Sequence, residues 1–181
     1  MYEIRIHGLG GEGVVRLSEM IGKTAIKCDK WAHSFPFFGT EIRGAAVKAF
    51  TRVSDSPISI KSYIYEPDVV IVTNDVLLNS PETLEGLGKE GLLIINTTKT
   101  LDELSSLTEG RIYPINATAL AYEIIGKPIV NTILFGALMG VMEILPVDAA
   151  LAIIVEEFNE KVGKLNTEAF RRGYEYARKV I

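Results

Sequence analysis

The residues best suited to chemistry lie near the N-terminus, where Gly8, Gly10 and Gly13 form a G-x-G-x-x-G pattern. The pattern follows an alternating, strand-like stretch and precedes a stretch with helical spacing of apolar residues, which is the context that a dinucleotide fingerprint requires. Glycines let the backbone approach a ligand closely, and the free N–H groups at a helix start attract an anion. Together with Gly11 and Glu12, these glycines form a candidate ligand-binding or partner-binding turn.

Two features weaken the dinucleotide interpretation of this turn. A dinucleotide-binding unit carries an acidic residue at the end of its second strand, about 20 positions further on, whereas residues 28–33 contain no apolar strand ending in Asp or Glu. Glu12 also places a carboxylate at the helix start, where it satisfies the helix dipole and repels an anionic ligand. We expect Arg16 to pair with Glu12 if both lie on the helix. The turn is therefore either a structural turn that allows close helix–strand packing or a site for a ligand or partner anion.

A second candidate site is an aromatic stretch within residues 29–44, which proline and glycine residues interrupt. The interruptions predict a loop, with a short strand near residues 31–34. Such a loop either folds over its own core or forms an interface, because aromatic residues and arginine are enriched at interface hot spots. The candidate contact residues are Ser34, Phe35, Phe37, Phe38, Gly39, Arg43 and Gly44, with Trp31 and Pro36 beside them.

Arg43 has two interpretations of its own. Its planar guanidinium suits a clamp for a carboxylate or phosphate, and it also suits a surface ion pair with Glu41. We predict that truncating Phe37, Phe38 or Arg43 weakens association with a partner and leaves the isolated chain folded.

The rest of the sequence offers little catalytic chemistry. Cys28 is the only cysteine, and His7 and His33 are the only histidines, too few for a metal centre or an iron–sulfur cluster within this chain. Each histidine is predicted to be a hydrogen-bonded structural residue, and Ser34 lacks the G-x-S-x-G surroundings of a hydrolase. The net charge of −4 supplies no basic field for nucleic acid, and residues 128–142, the longest uncharged run, are too few to span a bilayer. We predict no catalytic or metal-ligating residue, no nucleic-acid or membrane partner, and a cytoplasmic location that suits the free cysteine.

Hydrophobic patterns predict the elements that position the two candidate sites. Residues 2–7 alternate as a strand and residues 14–27 have helical spacing, one on each side of the glycine turn. Residues 45–53 and 58–61 alternate on either side of turn residues, which predicts an antiparallel hairpin.

Two apolar runs, residues 69–72 and 92–95, do not alternate and are typical of strands covered on both faces of a mostly parallel sheet. Between them, Ser80 followed by Pro81 predicts the start of a short helix that runs to about Gly88.

Further along, residues 111–115 predict a strand, and Asn116 can cap a helix over residues 117–125 that ends at Gly126. Helices are also predicted over residues 131–145, 148–162 and 167–179, with breaks at Pro146 and Gly163. These elements predict one domain over residues 1–181, an α/β fold in a three-layer α/β/α sandwich. Its mixed, mostly parallel sheet would have a Rossmann-like start, an antiparallel hairpin and a helical C-terminus.

Several stretches, in this order, resemble the gamma subunit, or gamma domain, of the 2-oxoacid:ferredoxin oxidoreductases, which include the pyruvate, 2-oxoglutarate, 2-oxoisovalerate and indolepyruvate enzymes. The glycine turn alone would be weak support, whereas all the stretches in one order are strong support. One departure is Glu12, because the family usually has glutamine there. The stretches are residues 8–13 (GLGGEG), 34–39 (SFPFFG), 43–50 (RGAAVKAF), 65–68 (YEPD), 131–137 (NTILFGA) and 166–173 (NTEAFRRG).

The resemblance implies an activity for the whole complex, the coenzyme A-dependent oxidative decarboxylation of a 2-oxoacid with transfer of electrons to ferredoxin. It implies that thiamine diphosphate with Mg²⁺ and the iron–sulfur clusters belong to other subunits, and this sequence agrees, since it lacks a G-D-G thiamine motif. The chain would then be a non-catalytic gamma subunit without a cofactor of its own. Its implied partners are thiamine-binding alpha and beta subunits and an iron–sulfur subunit, with a role in shaping coenzyme A access. The alternatives are an independent nucleotide-binding enzyme or a free-standing binding module of the same fold.

Overall fold

The computed structural model describes residues 1–38 and 45–180, with the backbone alone at Phe38 and Val180. In these residues the strands are β1 (Tyr2–Leu9), β2 (Trp31–Phe38), β3 (Ala46–Ser54), β4 (Val69–Val72), β5 (Leu92–Asn96) and β6 (Arg111–Ile115). The helices are α1 (Val14–Lys27), α2 (Leu101–Leu104), α3 (Ala117–Ile125), α4 (Asn131–Val141), α5 (Val147–Glu157) and α6 (Glu160–Val180). Two short 3-10 helices, Asp75–Asn79 and Pro81–Thr83, follow β4.

The strands form one mixed sheet in the order β2-β3-β1-β4-β5-β6. Strands β1, β4, β5 and β6 are parallel to one another, and β3 runs antiparallel to both β1 and β2. All four residues of β4 are buried, as are Leu92 to Ile95 of β5, which is what their continuous apolar runs predict.

The two faces of the sheet are covered differently. Helices α1, α3, α4, α5 and α6 share one large apolar core with the sheet. On the opposite face, the 3-10 helices and α2 cover the β4–β5 half with a smaller apolar cluster around Val72 and Leu93. This arrangement confirms the predicted α/β fold with a mixed, mostly parallel sheet and a strand–turn–helix start, and the second helical layer is thin.

The predicted hairpin is wrong in its second strand. Strand β3 pairs with β2 on one side and β1 on the other, whereas residues 58–61 form no strand. The side chain of Arg52 binds the carbonyl oxygens of Ile60 and Ser62, so this segment crosses the face of the sheet instead of extending it.

The predicted aromatic loop is also wrong in part, because residues 31–38 form the edge strand β2. Pro36 suggested an irregular stretch. An edge strand tolerates proline, however, because the missing backbone N–H can face the side on which no neighbouring strand needs a hydrogen bond. Residues 39–44 lie outside the described residues.

The helix predictions at 14–27 and 117–125 are confirmed, including the Asn116 cap, whose side chain accepts a hydrogen bond from the N–H of Ala119 at 3.0 Å. The C-terminal boundaries differ from the prediction. Helix α4 ends at Val141, and α6 begins at Glu160 and continues through Gly163. The break falls at Asn159 instead, whose side chain accepts a hydrogen bond from the N–H of Val162.

Two short elements also depart from the prediction. After Pro81 the chain forms only one 3-10 turn instead of a helix to Gly88. The patterns missed α2, whose start carries a capping box between Thr100 and Glu103. Of the helices within the described residues, none combines the length and apolarity needed to cross a membrane.

Candidate functional site

The glycine turn, residues 8–13, joins the C-terminal end of β1 to α1. A Cβ atom on Gly8 would lie 2.2 Å from Thr73 Oγ1, and one on Gly13 would lie 2.5 Å from Asn131 Nδ2. Gly13 also has a φ of 80° at the helix N-cap, a conformation that favours glycine. Close packing and backbone conformation therefore account for these two glycines without a ligand.

The tip of the turn is formed by Gly10 and Gly11. The N–H of Gly10 donates to the carbonyl oxygen of Ala45 at 3.0 Å, which ties the turn to the start of β3. Gly11 is exposed, has a φ of 98°, and a Cβ placed on it would have no heavy atom within 4 Å. The tip is therefore the part of the turn open to another molecule.

Glu12 folds back from the turn into the crevice between β1 and β4. Its Oε2 accepts hydrogen bonds from the N–H of Leu9 at 2.8 Å and from the hydroxyl of Thr73, and its Oε1 accepts one from Asn74 Nδ2 at 2.9 Å. The chain leaves β1 toward β2 on one side and returns to β4 on the other, which makes this crevice the switch point where open α/β sheets bind ligands. In this protein, the chain's own carboxylate occupies the crevice.

The predicted Glu12–Arg16 pair does not form between these two described side chains. Glu12 precedes α1, which begins at Val14. The Arg16 guanidinium carbon lies 5.1 Å from the centre of the Phe158 ring, a cation–π contact that ties α1 to the segment after α5.

Strand β2 divides its side chains between the two faces of the sheet. Ser34 lies on the face covered by α1, where its Oγ is 3.1 Å from the Ser18 carbonyl oxygen and 3.2 Å from Thr51 Oγ1. Phe35 and Phe37 lie on the opposite face, since successive residues of a strand alternate. Ser34 therefore anchors the helix and does not share a surface with the phenylalanines.

Phe35 and Phe37 belong to a partly exposed surface that we call the aromatic surface, formed by Phe35, Phe37, Tyr63 and Tyr65. The Tyr63 ring stacks on Phe35 with centroids 6.2 Å apart and meets Phe37 edge-on at 5.3 Å. Phe37 is 38% exposed, Tyr63 43% and Tyr65 70%. Contiguous exposed aromatic side chains are typical of interaction sites, so the structure favours the interface interpretation of Phe37. Gly39, Arg43 and Gly44, and the side chain of Phe38, lie outside the described residues.

Sequence reasoning missed Tyr63 and Tyr65, because buried arginines bring them to β2 from a distant segment. The Arg52 guanidinium pairs with Glu3 at 2.7 Å and also donates to the Tyr63 carbonyl oxygen. The Arg5 guanidinium donates to the carbonyl oxygen of Tyr65. Two signals were present in the sequence. Tyr65 lies in the stretch 65–68 that carries the family resemblance, and Arg5 and Arg52 lie within alternating strand patterns, although arginine is usually exposed.

The two histidines behave differently. His7 is buried, and its Nε2 accepts a hydrogen bond from Arg5 Nε at 3.0 Å, which confirms the predicted structural role. Burial, followed by the charges of Arg5 and Lys48, lowers the pKa of His7 to about 3. His33 packs against Phe35, and its buried Nδ1 has no hydrogen-bond partner among the described residues, so its predicted hydrogen-bonded role is wrong for that atom. Burial and the nearby Arg52 lower the pKa of His33.

A polar cleft of about 420 Å³ lies at the ends of β4, β5 and β6. Its side chains bond mainly to one another: the Asn96 amide donates to Thr118 Oγ1 at 2.9 Å, and the Thr97 hydroxyl donates to Asp75 at 2.6 Å. In the described residues there is no group of three or more His, Cys, Asp or Glu side chains that could hold a metal ion.

The mixed sheet, the strand–turn–helix start and the crevice closed by Glu12 define an α/β protein with a Rossmann-like start, whose switch-point crevice is occupied by its own side chain. Residues 3–176 match the model of the family described as "Pyruvate ferredoxin/flavodoxin oxidoreductase". The chain belongs to this family, which confirms the resemblance noted in its sequence.

Individual relatives match over nearly the whole chain. The pyruvate synthase subunit PorC of Methanothermobacter marburgensis is 41% identical over 97% of both chains. The common subunit gamma of the pyruvate/ketoisovalerate oxidoreductases of Thermococcus litoralis is 41% identical over 97% of this chain and 96% of its own. The crystal structure of pyruvate oxidoreductase subunit PORC from Thermotoga maritima matches with a TM-score of 0.87 and 36% identity, covering 96% of this chain and 95% of that one.

Proposed function

We propose that this chain is the gamma subunit of a 2-oxoacid:ferredoxin oxidoreductase complex, which carries out coenzyme A-dependent oxidative decarboxylation of pyruvate or a related 2-oxoacid. The observation that carries the proposal is the end-to-end identity of about two residues in five with subunits named PorC and common subunit gamma. Similarity over a whole chain supports a shared role in the assembly better than a short shared motif does.

The chain itself contributes no catalytic group in this proposal. The two candidate groups are already used structurally, since His7 accepts from Arg5, and the Glu12 carboxylate accepts from Leu9 of β1 and from Asn74, just after β4. Thiamine diphosphate with Mg²⁺ would supply the decarboxylation chemistry, and iron–sulfur clusters the electron path, in the alpha, beta and iron–sulfur subunits.

The aromatic surface and the exposed tip of the glycine turn are the proposed contacts with the thiamine-binding subunits. They lie toward the same end of the sheet, because Phe37 pairs with Lys48 in β3 and Lys48 pairs with His7, one residue before Gly8. Exposed aromatic rings supply large contact areas at a low cost in side-chain entropy, as interface anchors do.

The choice of 2-oxoacid is assigned to the partner subunits. The relative from Thermococcus litoralis is named as a subunit common to pyruvate and ketoisovalerate oxidoreductases. A subunit shared by two enzymes does not discriminate between their substrates. The proposed position beside the thiamine-binding subunits would also allow this chain to shape coenzyme A access.

The test is reconstitution with purified alpha, beta and iron–sulfur subunits. We expect the isolated chain to show no oxidation of 2-oxoacids with ferredoxin, and the complete mixture to be active. Omitting the chain should lower kcat or raise the KM for coenzyme A while the KM for the 2-oxoacid changes little. Turnover by the isolated chain, or full activity without it, would contradict the proposal, and failure to co-purify would favour the free-standing binding module.

A further inference from the structure

Every hydrogen-bond partner of the Glu12 carboxylate among residues 1–38 and 45–180 is a donor. The Leu9 N–H and the Thr73 hydroxyl both reach Oε2, and the Asn74 amide reaches Oε1 at 2.9 Å. Thr73 is 1% exposed, so water has little access to Oε2, whereas Glu12 and Asn74 are half-buried. The site therefore requires an acceptor at each of the two oxygen positions.

The orientation of the Asn74 amide is determined by its second contact. Its Oδ1 accepts a hydrogen bond from the N–H of Val76 at 3.2 Å and caps the 3-10 helix Asp75–Asn79. Exchanging the oxygen and nitrogen of this amide would place an NH₂ group against the Val76 N–H. Asn74 is thus held with its NH₂ group toward Glu12.

A neutral amide at position 12 does not fit this arrangement. The single oxygen of a glutamine could take the place of Oε2, which receives two hydrogen bonds, but its NH₂ group would then face the Asn74 NH₂ group. Two opposed donors in a part-buried crevice leave one polar group unsatisfied. An aspartate at position 74 would remove the conflict, because one oxygen could accept from the glutamine and the other from the Val76 N–H.

We propose that Glu12 and Asn74 are a matched acceptor–donor pair of positioning residues. The hydrogen bond from the Asn74 amide to the Glu12 carboxylate holds the glycine turn against the end of β4. A glutamine at position 12 is then compatible only with an acceptor at position 74. The pair positions the whole turn, because the turn is also held at its other residues. The Gly10 N–H is bonded to Ala45, and Gly8 packs against Thr73.

The test is a double-mutant cycle in the full chain with the variants Glu12→Gln, Asn74→Asp and their combination. We expect each single variant to raise the unfolding equilibrium constant about tenfold or more, because hydrogen bonds to a charged group are lost or two carboxylates are opposed. The double variant, which keeps the net charge, should recover to within about threefold of wild type. Glu19→Gln and Asn79→Asp make the same chemical changes at exposed positions and should have little effect.

Affinity for the thiamine-binding subunits provides a second measurement, which rests on the proposed function. At a temperature where every variant is folded, we expect the single variants to bind more weakly and the double variant to regain affinity. A Glu12→Gln chain as stable as wild type, or a double variant no better than the worse single variant, would overturn the matched pair. A third outcome separates the two proposals. If the double variant regains stability but no chain, wild type included, associates with the thiamine-binding subunits, the matched pair is supported and the proposed subunit role is refuted.

Discussion

Three basic side chains, Arg5, His7 and Arg52, are buried on the face of the sheet opposite the main helical layer. Arg52 has a carboxylate partner in Glu3, whereas the Arg5 guanidinium donates to His7 and to backbone carbonyl oxygens. Burial lowers the pKa of Arg5, while the nearby Glu85 charge opposes that shift. A neutral His7 suits this site, because its unprotonated Nε2 accepts from Arg5 and a second positive charge would repel it.

The neutrality of His7 predicts how stability depends on pH. Its pKa falls from 6.5 to about 3 on folding, so between these values the unfolded chain binds the extra proton. The stabilisation is complete above pH 6.5 and is lost as the pH falls toward 3, with a slope of up to about 1.4 kcal/mol per pH unit. We expect denaturant unfolding at several pH values to show a shallower loss for His7→Gln than for wild type. Equal slopes in the two chains would contradict the assignment.

Alanine substitution of Phe37 and of Phe50 compares the same change at a surface position and at a core position. Phe37 is 38% exposed on the aromatic surface, whereas Phe50 is 4% exposed beneath it. We expect Phe37→Ala to cost the free chain less than about 1 kcal/mol of stability and to weaken binding to the thiamine-binding subunits by about 2 kcal/mol or more. Phe50→Ala should instead destabilise the free chain by about 3–5 kcal/mol.

Urea unfolding of the free variants and titration against the partner subunits measure the two effects separately. Normal association of Phe37→Ala, together with a destabilised free chain, would mean that this ring belongs to the core.

At the scale of elements, helices α4 and α6 bring together two of the stretches that carry the family resemblance. A Cβ atom on Gly136 would lie 2.0 Å from the Phe170 carbonyl oxygen, so the two backbones are in direct contact. The Thr132 hydroxyl lies 2.7 Å from Asn166 Oδ1 and fixes the relative position of the helices. Resemblance in residues 131–137 and 166–173 therefore reflects helix packing in the described structure.

Two glycines of this helix pair give opposite expectations for the same substitution. Gly136→Ala should destabilise the chain by about 1–3 kcal/mol, because the helices must move apart. Gly163→Ala should stabilise it by up to about 1 kcal/mol, since alanine is the better helix former and the nearest atom to the new Cβ lies 3.7 Å away. Urea unfolding of both variants measures the difference, and changes of the same sign would contradict the packing described for α4 and α6.

At the scale of the whole molecule, the crevice where open α/β sheets bind ligands is filled by a side chain of the chain itself. Because the Glu12 carboxylate occupies the switch point between β1 and β4, a dinucleotide pyrophosphate would meet a negative charge there. We expect calorimetric titration with NAD or NADH to show no binding at micromolar ligand. A micromolar dissociation constant that Gly10→Val abolishes would restore the nucleotide-binding interpretation.

The elements that sequence reasoning predicted well are those coded by neighbouring residues. Helix α1 follows from its apolar spacing, α3 from the Asn116 cap and the glycine at its end, and the buried β4 and β5 from continuous apolar runs. Family membership was also visible in the sequence, because ordered stretches such as residues 8–13 and 34–39 persist as residue patterns whatever their contacts. The edge strand β2 was predicted only near residues 31–34, and its continuation to Phe38 was missed because Pro36 gives the same local signal in a loop and at a sheet edge.

The sequence by itself determined the local elements, the family and the residue types available to a contact surface. Only the tertiary structure decided which of those residues meet. Glu12 finds Thr73 and Asn74, 61 and 62 positions away, instead of Arg16, and Tyr63 joins Phe35 and Phe37 through the bonds that Arg52 makes to its segment. The physical reason is that a carboxylate or guanidinium removed wholly or partly from water finds its hydrogen-bond partners where the folded chain brings them together. No local pattern encodes partners so distant in the sequence.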